Sequence, residues 1–466
     1  MKVKTRFSPS PTGNFHLGNA RTALYSWLFA RANKGKFLLR IEDTDYARVK
    51  FSSLKSIIGG LKWLNIDWDE KVYFQSKRIV KYREIVVYML KKKLAYKCYC
   101  KEERLKELRK QQIFEKKKPK YDRFCIKNSK KVNKNDKYVI RFFNPSEGDI
   151  EFFDLIRGKI IFKNSELDDL IIIRNNGIPT YNFASVVDDD EMGITHIIRG
   201  EEHINNTPRQ INIIRALKKK IPTYAHLPMI LDENRKKISK RNFAKNILDY
   251  KKEGLLPESI VNYLLRLGWS YKNKEIFSYE EMKNLFNLNS ISKSPSILNY
   301  KKMFWLNKYY INNTEEKEIL PYVKKYFKIC NTNFKKGPKI EKVINYVKKR
   351  CNSLKEVSKN CIPFYKNFLQ FSESSKKKNL NKISEKDIET IIEEFGSIEY
   401  SKNKNIEKSL NKIEKKTKIK KKDLYKIIKF ILIGKTKNFS LNEILRILGK
   451  TRVIKYLFYA LKFLQK

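Results

Sequence analysis

The chain has 466 residues, 41% of them hydrophobic, enough for a sizeable core in roughly three or four domains of ~100–150 residues each. Lysine and arginine outnumber aspartate and glutamate 102 to 50, a formal charge of +52 that points to a polyanion partner, nucleic acid first. The sequence lacks a stretch of about 18 apolar residues, which excludes a helical membrane span; six cysteines in this length exclude a disulfide framework.

Residues 1–6 run straight into a strand-like segment, so no secretory leader is expected and the chain reads as cytoplasmic. Residues 1–100 carry 21 basic and 7 acidic side chains and residues 401–466 carry 20 and 4, so the basic excess is everywhere and compositional drift could also produce it. Residues 3–7 predict a short strand, followed by a loop rich in Ser, Pro and Gly at 8–19. Ala20, Leu24, Trp27 and Leu28 then recur at helical spacing, and residues 37–41 predict a second strand after Gly35. Strand, loop, helix, strand is a βαβ unit, which implies a parallel sheet. Residues 98–165 are Lys-rich and less regular. Strand signals return at 171–173, 194–198 and 224–230, with a hairpin turn at Asn176-Gly177. Thr207 suits an N-cap and Pro208 the first helical position, and Ile211, Ile214 and Leu217 mark that helix's buried face.

From about Lys245 the pattern is helical. Pro257 opens a helix faced by Ile260, Val261, Leu264 and Leu265, and Gly268 closes it. Leu424, Ile427, Ile428 and Ile431 form one later stripe and Ile444, Leu445 and Leu448 another; both read as core faces. Residues 372–381 and 401–422 are polar and predict loops or linkers. The expected class is α/β: a Rossmann-like parallel-sheet domain in two halves, 1–97 and 191–244, around an insertion at 98–190, followed by all-helical regions at 245–318 and 319–466.

Two segments suggest chemistry. SPSPTGNFHLGN, residues 8–19, lies between a strand and a helix, where unpaired N–H groups favour an anion. Gly13 and Gly18 let backbone approach a ligand closely, and His16 at the mouth can donate to a phosphate oxygen. KKISKR, residues 236–241, follows the last strand of the second half; its ammonium groups can neutralise charge on a triphosphate, although a solvated basic loop has the same composition. Either segment alone is a weak signal.

Together and in this order they resemble the two signatures of class I aminoacyl-tRNA synthetases. His16-Leu17-Gly18-Asn19 is similar to the HIGH motif in its glutamyl form, and Lys237-Ile238-Ser239-Lys240-Arg241 is similar to the KMSKS motif. Arg40-Ile41-Glu42-Asp43-Thr44-Asp45, Val186-Val187-Asp188-Asp189 and Arg199-Gly200-Glu201-Glu202-His203 resemble segments of the glutamyl-tRNA synthetases, and residues 205–210 resemble the bacterial form. The resemblance is continuous from Arg6 to about Trp305 and persists through Leu354-Lys355-Glu356 and Ile447-Leu448-Gly449-Lys450-Thr451-Arg452.

That resemblance implies a monomeric enzyme that uses ATP with Mg2+, L-glutamate and tRNA(Glu). It implies catalytic roles for His16 and Lys240, with Gly13, Gly18, Lys237 and Ser239 completing the ATP site. It assigns Arg6, Ser8, Ser10, Tyr181 and Arg199 to the carboxylates of glutamate and Glu42 to its ammonium. The insertion would take the acceptor end of the tRNA, the 245–318 region its stem, and the 319–466 region its anticodon, with Arg350 near the anticodon. Cys98, Cys100 and Cys125 resemble a zinc-binding insertion of some bacterial relatives, which carries a His two residues after the third Cys. Lys127 stands there in this chain, and protonated lysine is a poor ligand; water or Asp122 could be a fourth ligand, but a closed structural site normally has four protein ligands, so no metal is expected.

Glutaminyl enzymes share the catalytic half but have a β-barrel C-terminal part, against the helical stripes after residue 320 here. A glutamyl-queuosine-type paralogue lacks the anticodon region, for which about 150 residues remain. A paralogue of altered tRNA specificity stays open. A non-catalytic RNA-binding relative would be expected to lose His16 or Lys240, and both are present.

Overall fold

The chain opens with β1 (Lys4–Phe7), a loop, α1 (Leu17–Ala32) and β2 (Lys36–Ile41), which pairs parallel to β1 with Arg6 opposite Leu38. The helix sinks Ala20, Leu24, Tyr25, Trp27 and Leu28 into the core. It turns sharply at Lys34, φ 51°, and Gly35, where any Cβ would collide with the Val3 carbonyl. After α2 (Phe51–Trp63), β3 (Tyr73–Phe74) adds parallel to β2, and α3 (Ile79–Lys91) follows. Next come β4 (Ala95–Cys98), α4 (Glu102–Phe114), α5 (Phe124–Lys127), β5 (Val139–Phe142), β6 (Asp149–Asp154), β7 (Gly158–Lys163) and β8 (Ile171–Ile173), then α6 (Tyr181–Glu191). The hairpin turn is where the Asn-Gly pair placed it, with Gly177 at φ +80°.

The second half-sheet comprises β9 (His196–Gly200), α7 (Thr207–Ala216) and β10 (Thr223–Leu227), with a short β11 (Ile230–Leu231) beyond. Pro228 has no N–H to donate, and the expected 224–230 strand is split there. The strand order is β9-β10-β6-β7, parallel except for the β6–β7 hairpin, while β4-β5-β8 form a separate antiparallel sheet. The half-sheets meet where Thr195 N donates to Lys4 O at 2.9 Å. The carboxyl ends of β1, β2 and β9 thereby open at one edge, the place where such sheets hold ligands. Thr207 is not the cap of α7; Asn206 is, and the Thr207 hydroxyl is used elsewhere. Beyond come α8 (Ile247–Lys252), α9 (Pro257–Arg266), α10 (Tyr279–Leu285) and β12 (Ser296–Ile297).

The structure, a computed structural model, describes residues 2–128, 137–236, 245–334, 337–436 and 438–465, and divides into a unit of residues 1–250 with 257–300 and a unit of 251–256 with 301–466. The second unit is helical, from α11 (Tyr300–Asn313) through α12 (Glu316–Ile329), α13 (Ile340–Lys348) and α14 (Leu354–Cys361) to α15 (Glu373–Leu380), α16 (Glu385–Gly396), α17 (Asn403–Thr417), α18 (Lys421–Ile433), α19 (Leu441–Leu448) and α20 (Lys450–Leu464). Its core includes the two expected stripes. The polar stretches expected as linkers are mostly helix instead. In α17, Ile406, Leu410 and Ile413 are fully buried at i, i+4, i+7 spacing, a stripe too sparse to stand out among lysines. In α15, Leu380 and Lys376 are buried. Among the described residues no helix is long and apolar enough to cross a membrane.

Candidate active site

A cavity of about 390 Å³ lies at the edge where β1, β2 and β9 end. Arg6, Ser8, Ser10, Glu42, Tyr181 and Arg199, drawn from four segments of sequence, all line it. The cavity is framed by a buried charge network. Arg6 directs Nε and Nη2 at the two oxygens of Asp189, 3.0 and 3.3 Å away. Arg40, fully buried, donates from Nη1 to the same carboxylate at 2.6 Å and from Nη2 to Glu42 Oε1 at 3.2 Å. Ser185 Oγ also donates to Glu42 Oε1, at 3.2 Å. Arg40 Nε also lies 3.8 Å from Asp188, which Arg78 pairs from the other side, so each buried carboxylate here meets a guanidinium, which is the condition for burying charge at tolerable cost. Burial pushes the Glu42 carboxyl up against the pull of Arg40 and Arg6. Burial acts on Asp189 too, but Arg40 and Arg6 outweigh it and hold that group below the usual carboxylate range. The neighbouring Asp188 accepts from Gln75, Arg78 and Tyr82 at 2.7–3.0 Å, fixing α6 from the other side.

Arg199 is held differently. Its Nε donates to His226 Nε2 at 3.2 Å and its Nη2 to Thr207 Oγ1 at 2.8 Å, while Nη1 lies 3.5 Å from the Tyr181 hydroxyl. Among the described residues it joins no ion pair. Burial pushes the Tyr181 phenol up, so it stays protonated. Burial, then Arg199, pushes His203 down to about 4, so its ring, 3.3 Å from the Tyr181 hydroxyl, is neutral. Ser8 Oγ is buried and has no hydrogen-bond partner among the described residues.

The N-terminus of α1 borders the same cavity through Asn19 and Thr22. His16 is its N-cap, and Nδ1 accepts from Gly18 N at 3.1 Å and Asn19 N at 3.4 Å. The sequence had suggested that these N–H groups would face an anion; two of them are satisfied by the imidazole. An accepting Nδ1 places the neutral ring's proton on Nε2, the nitrogen able to donate to a phosphate oxygen. A Cβ on Gly18 would stand 3.0 Å from the His16 ring, a tight contact that the imidazole would have to yield to. Gly13 lines a smaller cavity of about 50 Å³ beside Asn19. Lys237, Ser239 and Lys240 lie outside the described residues.

Several groups here had no role in the sequence reading. Asp188 and Asp189 lay in a segment singled out only by resemblance, and Arg40 beside Glu42 likewise. Arg48 and Arg174 on the cavity wall, and the Asp154–His226 pair behind Arg199, carried no local signal at all.

A family model described as "tRNA synthetases class I (E and Q), catalytic domain" matches residues 2–305, and one described as "Anticodon binding domain" matches residues 317–461. The chain is 48% identical over 454 residues to a glutamate–tRNA ligase of Buchnera aphidicola subsp. Acyrthosiphon pisum, covering 97% of each chain. It is 47% identical to that of Wigglesworthia glossinidia brevipalpis, covering 100% of this chain and 98% of the relative. The chain belongs to the bacterial glutamate–tRNA ligases. A crystal structure of a glutamate tRNA ligase from Elizabethkingia meningosepticum in complex with its amino acid superimposes with a TM-score of 0.86 at 30% identity, covering all of both chains.

Within the anticodon-binding part of this glutamate–tRNA ligase family member, exposed Arg350 follows α13, its guanidinium 4.5 Å above the Tyr346 ring and hydrogen-bonded to the Tyr346 carbonyl at 3.0 Å. In the catalytic part, the three thiols of Cys98, Cys100 and Cys125 converge with all sulfurs within 4.8 Å. Cys100 and Cys98 lie 3.5 and 3.9 Å from the Cys125 sulfur, spacings that fit zinc–sulfur bonds of about 2.3 Å. The donor set is incomplete, because a closed site needs four ligands, Lys127 is a poor one, and the Asp122 carboxylate is taken up by Arg104. The Tyr121 hydroxyl is 3.4 Å from Cys100 Sγ, but burial pushes its pKa up and keeps it protonated.

Proposed function

We propose that the chain joins L-glutamate to tRNA(Glu) in two steps. The α-carboxylate of glutamate attacks the α-phosphate of ATP, brought as its Mg2+ complex, giving glutamyl-adenylate and pyrophosphate. The terminal ribose hydroxyl of the tRNA then attacks the acyl carbon and AMP leaves. Neither step needs a protein nucleophile, so the protein contributes position and charge. His16, with its donor nitrogen set by the cap, and Lys240 stabilise the phosphates as charge redistributes. Arg6 and Arg199 meet the carboxylates, Glu42 takes the ammonium, and the hydroxyls of Ser8, Ser10 and Tyr181 complete the pocket. Arg350 contacts the anticodon arm.

The observation that carries this reading is the joint placement of Arg6, Glu42, Tyr181 and Arg199 on one cavity bordered by the capped end of α1. ATP–pyrophosphate exchange tests it. Exchange should require glutamate and, as is usual in this family, tRNA. Exchange supported by glutamine as well as by glutamate, or by neither, would count against it.

A further inference from the structure

We propose that His226 is a positioning residue for substrate selection: backed by Asp154, it holds Arg199 by an uncharged acceptor, so the full charge of that guanidinium is reserved for the acidic side chain of the amino acid. This rests on the reading of Arg199 given above.

The chain of contacts is short and fully buried. Asp154 ends β6 and accepts from the backbone N–H of Ile156 and Arg157 at 3.0 and 2.8 Å and from that of His226 at 3.0 Å. His226 Nδ1 lies 2.6 Å from Asp154 Oδ2, with both side chains at 0% exposure. The carboxylate fixes the proton on Nδ1. Arg199 Nε can only donate, so the Nε2 it meets at 3.2 Å must be an unprotonated acceptor. Thr207 Oγ1 lies 3.1 Å from the same nitrogen and accepts from Arg199 Nη2. An imidazole nitrogen and a hydroxyl thus take the Nε–Nη2 edge that a carboxylate would otherwise fork onto.

Arg6 supplies the contrast inside the same cavity, because its Nε–Nη2 edge is held by the Asp189 carboxylate, which cancels its charge. The groups around His226 agree with a neutral ring. Burial first, then Arg199 and Arg157, disfavour the imidazolium against the pull of Asp154; Tyr224 stacks on the ring at 6.1 Å, and His203 nearby is itself neutral. A protonated Nε2 would place two donors against each other and push the guanidinium away from its place.

The test separates the acceptor from the bulk. His226→Asn keeps a donor for Asp154 and removes the acceptor for Arg199. His226→Gln puts an amide oxygen near the position of Nε2. In charging assays on the full chain, His226→Asn should raise KM for glutamate about 10- to 100-fold, the scale of one lost hydrogen bond to a charged group. Its kcat and KM for ATP should move far less, and its preference for glutamate over glutamine should shrink by a similar factor. His226→Gln should recover most of the loss. Thr207→Val, which removes the second acceptor at nearly constant volume, should shift KM in the same direction and serves if His226→Asn fails to fold. Equal damage in the Asn and Gln variants, or equal loss in kcat and KM for ATP, overturns the proposal. Arg199→Ala measured alongside keeps the two readings apart. If it leaves KM for glutamate unchanged, the assignment of Arg199 fails. If it raises KM while His226→Asn and Thr207→Val do not, only the role of His226 fails.

Discussion

Replacing Asp189 with asparagine removes one negative charge from a set of charged side chains (Arg6, Arg40, Glu42, Asp188 and Asp189) that are almost wholly out of water. Asp189 receives three N–H donors, two from Arg6 and one from Arg40, whereas Arg40 has two further carboxylates beside it, Glu42 and Asp188, the latter 3.8 Å from its Nε. An asparagine can accept on one oxygen only, so a guanidinium is left without its counter-charge. Breaking a buried pair in this way costs about 3–5 kcal/mol. The same change frees the fork that fixes Arg6, and KM for glutamate should rise about tenfold or more. Urea unfolding monitored by fluorescence and a glutamate titration in the charging assay report the two effects. Asp190→Asn is the control, since the Asp190–Lys219 pair at 3.0 Å is half-exposed and worth under about 1 kcal/mol. If Asp189→Asn and Asp190→Asn behave alike in both measurements, the network is not what holds Arg6 in place.

Further outcomes follow from the same geometry. His203, held near 4, and His226, also lowered, are neutral in the fold, whereas the unfolded chain protonates both near 6.5. Their contribution is therefore complete above 6.5 and is lost as pH falls toward the folded values; for His203 the loss at pH 5 is about 2 kcal/mol, and a flat unfolding midpoint between pH 7 and 5 would contradict it. Lys240→Ala should lower kcat by ~10²–10³, the scale of one preorganised donor, whereas a pure rise in KM would argue for simple binding. Protein purified without chelators should hold far less than one zinc per chain, because Lys127 leaves the three thiols without a fourth ligand; elemental analysis showing one equivalent would refute this. Affinity for tRNA should fall steeply between low and moderate salt, with the logarithmic slope counting the phosphates neutralised; a salt-independent affinity would not fit a chain of charge +52.

Sequence alone revealed what is local. The βαβ start was visible because the apolar spacing changes period between β1 and α1, and Pro257 with Gly268 marked α9 at both ends. Arg6, Glu42, Tyr181 and Arg199 were found by resemblance, and the structure adds their common cavity. What stayed hidden depends on partners distant in the chain. Asp154 and His226 are 72 residues apart, and neither has a neighbour in sequence that betrays the pairing. Thr207 looked like a cap because threonine is common there, yet its hydroxyl faces Arg199. The helices α15 and α17 were missed because lysine and asparagine diluted stripes of one or a few buried residues.

The central claim is that a guanidinium with uncompensated charge selects an acidic amino acid for transfer to tRNA. The direct measurement is kcat/KM for charging tRNA(Glu) with glutamate against glutamine under identical conditions. A neutral amide leaves the guanidinium underpaired, worth ~2–4 kcal/mol, so glutamate should win by about 30- to 900-fold. Equal charging of the two amino acids would contradict the account.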